Sequence, residues 1–374
     1  MNTNSVVRRV AQKEMRLFFG SPVAWLFLAG FAAATLFIFF WVESWFARNI
    51  ADVRPLFEWM PLLLIPLSAA LTMRMWSEER RTGTLEHVLV QPVGIWRFVL
   101  GKFFACISLL LLALLATLPL PISAGLMADL DWGPVAGGYL AAVLLGAVYI
   151  SIGLFVSART DNPIVSLIGS SFLCTILYVL GSATLTGFFN DDSAQWLRLL
   201  GSGSRFDTIT RGVLDIRDLW WCLSLICGFL ALNVYSLESQ RWARGARSRR
   251  QIRARAALAL LIANLVLANL WLQQLPGLRL DVTEGKLYSL SATTRKILGQ
   301  LEEPLLIRGY FSARTHPLLA PLVPQLRDLI EEYASASGGT VRVEFVDPAE
   351  HPELEREAND RYQINATPLQ VADR

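Results

Sequence analysis

Histidine is nearly absent from the 374 residues: His87, His316 and His351 fall in three separate segments. A histidine metal cage or a histidine-based triad has nothing to build on. Cysteine is scarce too. Cys106, Cys174, Cys222 and Cys227 all lie in apolar runs, without the paired spacing and nearby histidine of a zinc site, and they read as small core hydrophobes. Charged residues make up only 17% of the chain, and 34 Lys+Arg against 31 Asp+Glu leave a net charge of +3. That balance lacks the global basic excess of a nucleic-acid binder, so none is expected as a partner. A phosphate-binding loop is missing as well. The nearest approach, Gly101-Lys102-Phe103, lacks the first glycine at the required spacing and has Phe where Ser or Thr would hold magnesium. Lys102 reads there as an interfacial lysine.

Apolar residues fill the chain instead. They account for 53% of it, too much for an ordinary soluble protein and for disorder alike. A bilayer core about 30 Å thick takes roughly 20 apolar residues in a helix, and seven stretches qualify. They lie near 23–42, 59–76, 98–127, 137–157, 163–188, 219–237 and 255–273. Pro119 and Pro121 remove two backbone donors from the third. That helix is expected to kink, to become re-entrant at 119–125, or to stop at Thr117 before a loop. The first run has no small-residue cleavage site before Glu43 and is expected to stay as an anchor. Asn264 and Asn269 are costly against lipid and are expected to face other helices.

The arginines orient the chain. Arg8, Arg9, Lys13 and Arg16 precede the first span; Arg80, Arg81 and Arg97 follow the second; Arg241 to Arg255 follow the sixth. The alternate loops carry Glu43, Asp52 and Glu58, then Asp129 and Asp131, then Asp191 and Asp192. This pattern predicts a cytoplasmic N-terminus, with everything after about residue 275 outside. Within the first segment Val6, Val10 and Leu17 share one helical face while Arg9, Lys13 and Arg16 fall on another. A helix lying in the membrane interface fits, as does a snorkelling extension of the first span.

The second span runs into "SEERRTGTLEHVLVQPV". Glu78, Glu79, Arg80 and Arg81 form a charged block, Gly83-Thr84 turns the chain, and Leu85, Val88 and Leu89 put an apolar stripe on a short helix ended by Pro92. Such a helix below the bilayer suits docking of a cytoplasmic motor; a solvated loop is the plainer alternative. The motif, followed by "RFVLGKFFACISLLLL", resembles the cytoplasmic signature of the ABC-2 family of ABC-transporter permeases. The resemblance implies a six-helix permease over residues 1–238. It also implies that the interfacial helix (Arg9, Lys13, Arg16) and the loop contact a separate ATPase subunit through Glu78, Glu79, Arg80, Arg81, Gly83, Thr84 and Glu86. No catalytic or cofactor-binding residue is expected in the chain itself: ATP and Mg would be bound by the partner ATPase. The family pairing implies a homodimer or two related permeases in the lipid of a bacterial inner membrane. A non-transporting scaffold of a surface or motility machine is the alternative. Glu79→Arg is expected to uncouple the ATPase while leaving insertion intact.

A basic linker at 239–256 and a seventh transmembrane helix at 257–275 carry the chain outward. From 276 the pattern turns globular. "PLLIRGYFS" and "TVRVEFVDP" read as strands, "SLSATTRKILGQL" as a helix capped by Ser291, "PLVPQLRDLIEEYASAS" and "AEHPELEREANDRYQI" as helices, and "TPLQVADR" as a third strand. Alternating strands and helices predict a parallel, periplasmic α/β domain over 276–374, incomplete at its third strand. Asp347-Pro348 reads as a helix-start turn, and the domain as a binding or gating module. The residues "RLDVT" at 279–283, "LYSLS" at 287–291 and "VEFVDP" at 343–348 resemble the auxiliary protein of gliding-motility ABC transporters. The chain as a whole then resembles a fusion of the gliding-type permease with the N-terminal part of that auxiliary subunit.

Overall fold

A computed structural model describes residues 3–43, 45, 53–127, 130–181, 185, 201–241, 249–272, 279–282, 290, 292–301, 303–311, 326–327, 329–330, 333–334, 337, 340–347 and 352–364. The chain divides into two units, Met1–Glu284 and Gly285–Arg374.

The first unit is a helical bundle. Its helices are α1 (Thr3–Phe19), α2 (Pro22–Phe37, continued by a π turn at Ile38–Val42), α3 (Arg54–Glu58), α4 (Met60–Thr72), α5 (Ser77–Arg81), α6 (Thr84–Val90), α7 (Ile95–Leu115), α8 (Pro119–Met127), α9 (Trp132–Ser157), α10 (Pro163–Leu180), α11 (Gly203–Thr210), α12 (Ile216–Gln240) and α13 (Arg249–Leu272). Seven stretches of described helix are long and apolar enough to cross a membrane: Ala24–Val42, Met60–Arg81, Ile95–Met127, Trp132–Ser157, Pro163–Leu180, Ile216–Gln240 and Gln251–Leu272. These match the seven apolar runs of the sequence. Local chemistry starts several of them. The Asp131 carboxylate accepts from the Gly133 amide at 2.8 Å, Asn162 caps α10 just before Pro163, and Asp215 accepts from the Arg217 amide at 2.9 Å. At the two prolines the third span breaks: α7 ends at Leu115, a turn covers 116–118, and α8 begins at Pro119, where a missing amide donor costs nothing.

Helix α9 is the axis of the bundle. Val148, Tyr149, Ile150 and Leu154 are fully buried on it, and α4, α7, α10, α11 and α12 pack around it. A side chain at Gly153 would collide with Thr72, so the close crossing of α9 and α4 depends on that glycine. Helix α13 lies at the periphery against α12, with Leu260, Leu267 and Trp271 exposed. Asn269 donates to Ser224 Oγ on α12 at 2.9 Å, as expected. Asn264 does not follow the expectation: it is exposed. Five residues turn a helix by about 140°, so the two asparagines cannot face the same neighbour.

Past α13 the chain returns to the bundle. Strand β2 (Arg279–Asp281) pairs antiparallel with β1 (Val213–Asp215), which precedes α12, and Leu214 faces Leu280 in the register. The Val282 amide extends the ladder to the Gly212 carbonyl at 3.0 Å.

In the second unit, α14 (Ala292–Leu298), β3 (Leu305–Tyr310), β4 (Val341–Val346) and α15 (Pro352–Tyr362) follow in order. Strands β3 and β4 pair in parallel, Leu305 opposite Val341, which requires the crossover segment between them. Its described residues between 326 and 334 are helical. Leu290, Leu298 and Val341 form the buried centre. The expected α/β alternation is thus present; Ser291 and the third strand at 367–374 lie outside the described residues.

Candidate coupling site at the basic end of the bundle

The second span leaves the bundle in pieces. After α4 the chain turns at 73–76, makes α5, turns at Thr82-Gly83 and makes α6. Gly83 has φ +74, a left-handed conformation that glycine adopts without strain and that ends α5. The break orphans the amides of Trp76 and Ser77. Both donate to Ser157 Oγ, at 3.1 and 3.2 Å, and that hydroxyl donates to the Met73 carbonyl at 3.2 Å. From α5, Arg80 Nη2 donates to the Ala158 carbonyl at 2.7 Å. The loop is therefore fastened to the end of the central helix α9.

A second fastening is ionic. Lys102, in the second turn of α7, is 2% exposed. Its Nζ donates to Glu14 Oε1 of α1 at 2.9 Å, to Glu79 Oε1 of α5 at 2.8 Å and to the Met75 carbonyl at 2.9 Å. All three ammonium donors are used. The Trp76 ring lies beneath, its centroid 4.7 Å from Nζ, and adds a cation–π contact. Burying a lone ammonium costs several kcal/mol, so such a lysine persists only with carboxylates arranged around it. Close approach of α1 makes this possible. A Cβ at Gly101 would stand 2.6 Å from Val10 Cβ, so the glycine beside Lys102 lets α1 lie directly on α7. One ammonium thus joins three elements: the interfacial-type helix α1, the loop helix α5 and the membrane helix α7.

The residues singled out from the sequence divide between this network and the surface. Glu79 is in the network, its side chain 17% exposed, and Arg80 is in the backbone fastening. Glu78 and Arg81 pair with each other at 3.6 Å on the exposed side of α5, and Gly83, Thr84 and Glu86 are exposed. Arg9, Lys13 and Arg16 are exposed along α1, and Lys13 Nζ reaches the edge of the network, 3.9 Å from Glu14 Oε1. Leu85 is buried, Val88 and Leu89 are half-buried, and α6 ends at Val90 ahead of Pro92. The substitution Glu79→Arg is not the clean docking probe the sequence promised. It would set a second cation against buried Lys102, so it disturbs folding together with docking.

Sequence reasoning missed Glu14, Lys102 and Ser157. Two signals were available. A lysine inside an apolar helix is expensive and calls for a partner. Glu14 continues the i, i+4 series of Val6 and Val10, which places a carboxylate on the apolar face of α1. Among the described residues no cluster of three metal-ligand side chains occurs.

The first unit is thus a multi-span helical bundle whose loop helix α5 is tied into its core at one end. Residues 10–220, more than half of the chain, match the family model described as ABC-2 family transporter protein. The chain belongs to that family, and so is a membrane permease of the ABC-transporter class. Residues 284–374 match a domain of unknown function, DUF7088. No curated protein matches the chain.

Proposed function

We propose that the chain is the membrane subunit of an ATP-driven exporter, and that α5 and α6 are the coupling elements on which a separate cytoplasmic ATPase, carrying the ATP and Mg, docks. The observation that carries the reading is the buried Glu14–Lys102–Glu79 network. A merely solvated loop has no use for a desolvated ion cluster, whose net contribution to stability is small and whose value lies in fixing one arrangement. A pull on α5 reaches α7 and α1 through Lys102, and reaches α9 through Ser157 and the Arg80–Ala158 hydrogen bond. Discrete rearrangement of packed helices then converts closure of the motor into opening of the bundle. The basic loops support a cytoplasmic N-terminus in a bacterial inner membrane, with residues beyond about 275 outside. On this reading 1–238 is the permease proper, 239–256 a basic linker, 257–275 the seventh span and 276–374 an auxiliary domain of the gliding-motility type, in a dimer or a pair of related permeases.

The test keeps the buried network intact and changes the exposed face. Wild type, Glu78→Arg and Glu86→Arg are purified in mild detergent, and co-purifying ATPase is measured by mass spectrometry and ATP hydrolysis. The reading expects a stoichiometric ATPase with wild type and about a tenfold loss with the reversals, as for a charge-assisted contact across an interface. A correctly inserted chain that brings no ATPase, or one whose ATPase ignores both reversals, overturns it and leaves a non-transporting scaffold.

A further inference from the structure

Four cations share the outward side of α1. Arg8, Arg9, Lys13 and Arg16 are exposed, and at 100° per residue they fall with Gln12 and Phe19 on one arc of about 140°. Glu14, the single carboxylate of the helix, lies on the opposite side, buried and bonded to Lys102. The elements packed against α1 bring no compensation, since neither α2 nor α7 contains Asp or Glu. Nearby, Glu78 is paired with Arg81 and Glu79 with Lys102. Among the described residues, Lys13 alone of the four cations has a carboxylate within 4 Å, Glu14 at 3.9 Å. The arc turns apolar at its C-terminal end. The Phe19 ring lies 5.2 Å from that of Trp25, which is 59% exposed, and Leu26 beside it is 71% exposed on the first span. The basic face is therefore continuous with the lipid-facing surface of that span. Exposed Trp25 and Trp96, in the first turns of α2 and α7, mark the depth of the membrane–water interface. Helix α1 crosses α7 close to that depth, Val10 against Gly101.

We infer that the outward face of α1 is a binding surface for anionic phospholipid headgroups of the leaflet at the basic end of the bundle. A guanidinium presents a planar fork of donors that matches a phosphate bidentately. Arg9 and Arg16, seven residues and so about 10 Å apart along one line of the helix, can each take a headgroup, with Arg8 and Lys13 at the flanks. An acidic protein surface would answer the cations but not Phe19, Trp25 and Leu26; a bilayer answers both. In a zwitterionic headgroup the choline cation cancels the phosphate, which leaves the net attraction to anionic lipids. Each basic residue at an anionic surface is worth about fivefold in affinity. Binding is independent of the ATPase reading. Its consequence rests on that reading: a lipid-held α1 keeps Glu14, on its other side, in place against Lys102 and thereby steadies α5 for the motor.

The full-length chain, delipidated in mild detergent, is titrated with phosphatidylglycerol or phosphatidylcholine, and lipid retention is read by native mass spectrometry. Wild type should prefer phosphatidylglycerol at least 25-fold at low salt, and the preference should fade near 1 M salt, where the screening length is about 3 Å. Arg9→Gln with Arg16→Gln should lower the affinity for phosphatidylglycerol about 25-fold, two fivefold steps, and leave phosphatidylcholine unchanged. Arg9→Lys with Arg16→Lys, which keeps the charges, should retain most of the preference. Both side chains are exposed, so the melting temperature without lipid should stay at the wild-type value in either variant. In native membranes, a photoreactive amino acid at position 12, on the same arc, should cross-link to phosphatidylglycerol. Equal retention of the two lipids by wild type, unchanged phosphatidylglycerol affinity in the glutamine variant, or cross-links from position 12 to a cytoplasmic ATPase in place of lipid would each overturn the assignment. The last of these would leave the ATPase reading standing.

Discussion

Replacing Lys102 with methionine tests the ion network most severely. Methionine keeps the unbranched stem and the packing against Trp76 but removes the charge. Glu14 and Glu79, whose side chains are 9% and 17% exposed, then face each other without their shared cation. Removing one partner from a buried ion pair costs about 3–5 kcal/mol, because the other charge stays desolvated and uncompensated. The lost cation–π contact adds about 1 kcal/mol. A destabilisation of about 4–6 kcal/mol is the expectation, a large part of a typical domain's stability. The triple variant Lys102→Met, Glu14→Gln, Glu79→Gln removes every charge and should recover most of that loss, to within about 2 kcal/mol of wild type. Chemical unfolding of the purified chain in detergent, followed by tryptophan fluorescence, reads both quantities. The ordering is what matters: one substitution should be worse than three. A single variant within about 0.5 kcal/mol of wild type, the range of a surface change, would refute a buried lysine held by two carboxylates.

Three further outcomes follow from particular contacts. Ser157→Ala leaves the Trp76 and Ser77 amides without an acceptor and should destabilise the bundle by about 1–3 kcal/mol in the same unfolding assay, while Ser151→Ala, whose hydroxyl only bonds back to its own helix, should cost less. Asn269→Leu should cost about 0.6 kcal/mol through loss of its bond to Ser224, and exposed Asn264→Leu should be neutral or stabilising in the membrane-like environment, read by thermal unfolding in detergent. Leu214→Cys with Leu280→Cys, placed in a background free of the native cysteines, should form a disulfide under mild oxidation, visible as a mobility shift on non-reducing gels, because the two are direct partners in the β1–β2 register.

The spans and the loop were legible because their signals run along the chain. A run of about 20 apolar residues, a proline pair at 119 and 121, and a charged block followed by Gly83 all act on their own neighbours. The strand–helix alternation of the second unit was legible for the same reason: β3 and β4 are short apolar or alternating runs between turn residues. The network was not legible, since it joins Glu14 to Lys102 across 88 positions and Trp76 to Ser157 across 81. Each of those residues has a plain local reading, as a surface carboxylate, a snorkelling lysine or a helix serine, until packing brings the elements together. The β1–β2 ladder was hidden likewise. Three-residue strands have no periodicity to detect, and the partners are separated by two membrane helices. Asn264 and Asn269 looked equivalent by composition, and only the rotation between them and the position of α12 against α13 tell them apart.

On the proposed function, movement of the loop helices is delivered to the bundle through their fastening to α9. Spin labels at position 86 on exposed α6 and at position 132 at the far end of α9 report that movement, since α9 is 26 residues and so about 39 Å long. Distances are measured by pulsed electron resonance in the permease–ATPase complex, free and trapped with ATP and vanadate. The account predicts a shift on trapping in wild type, and its loss in an Arg80→Ala, Ser157→Ala variant that still binds the ATPase. An unchanged distance in wild type, or the same shift in the unfastened variant, would contradict it.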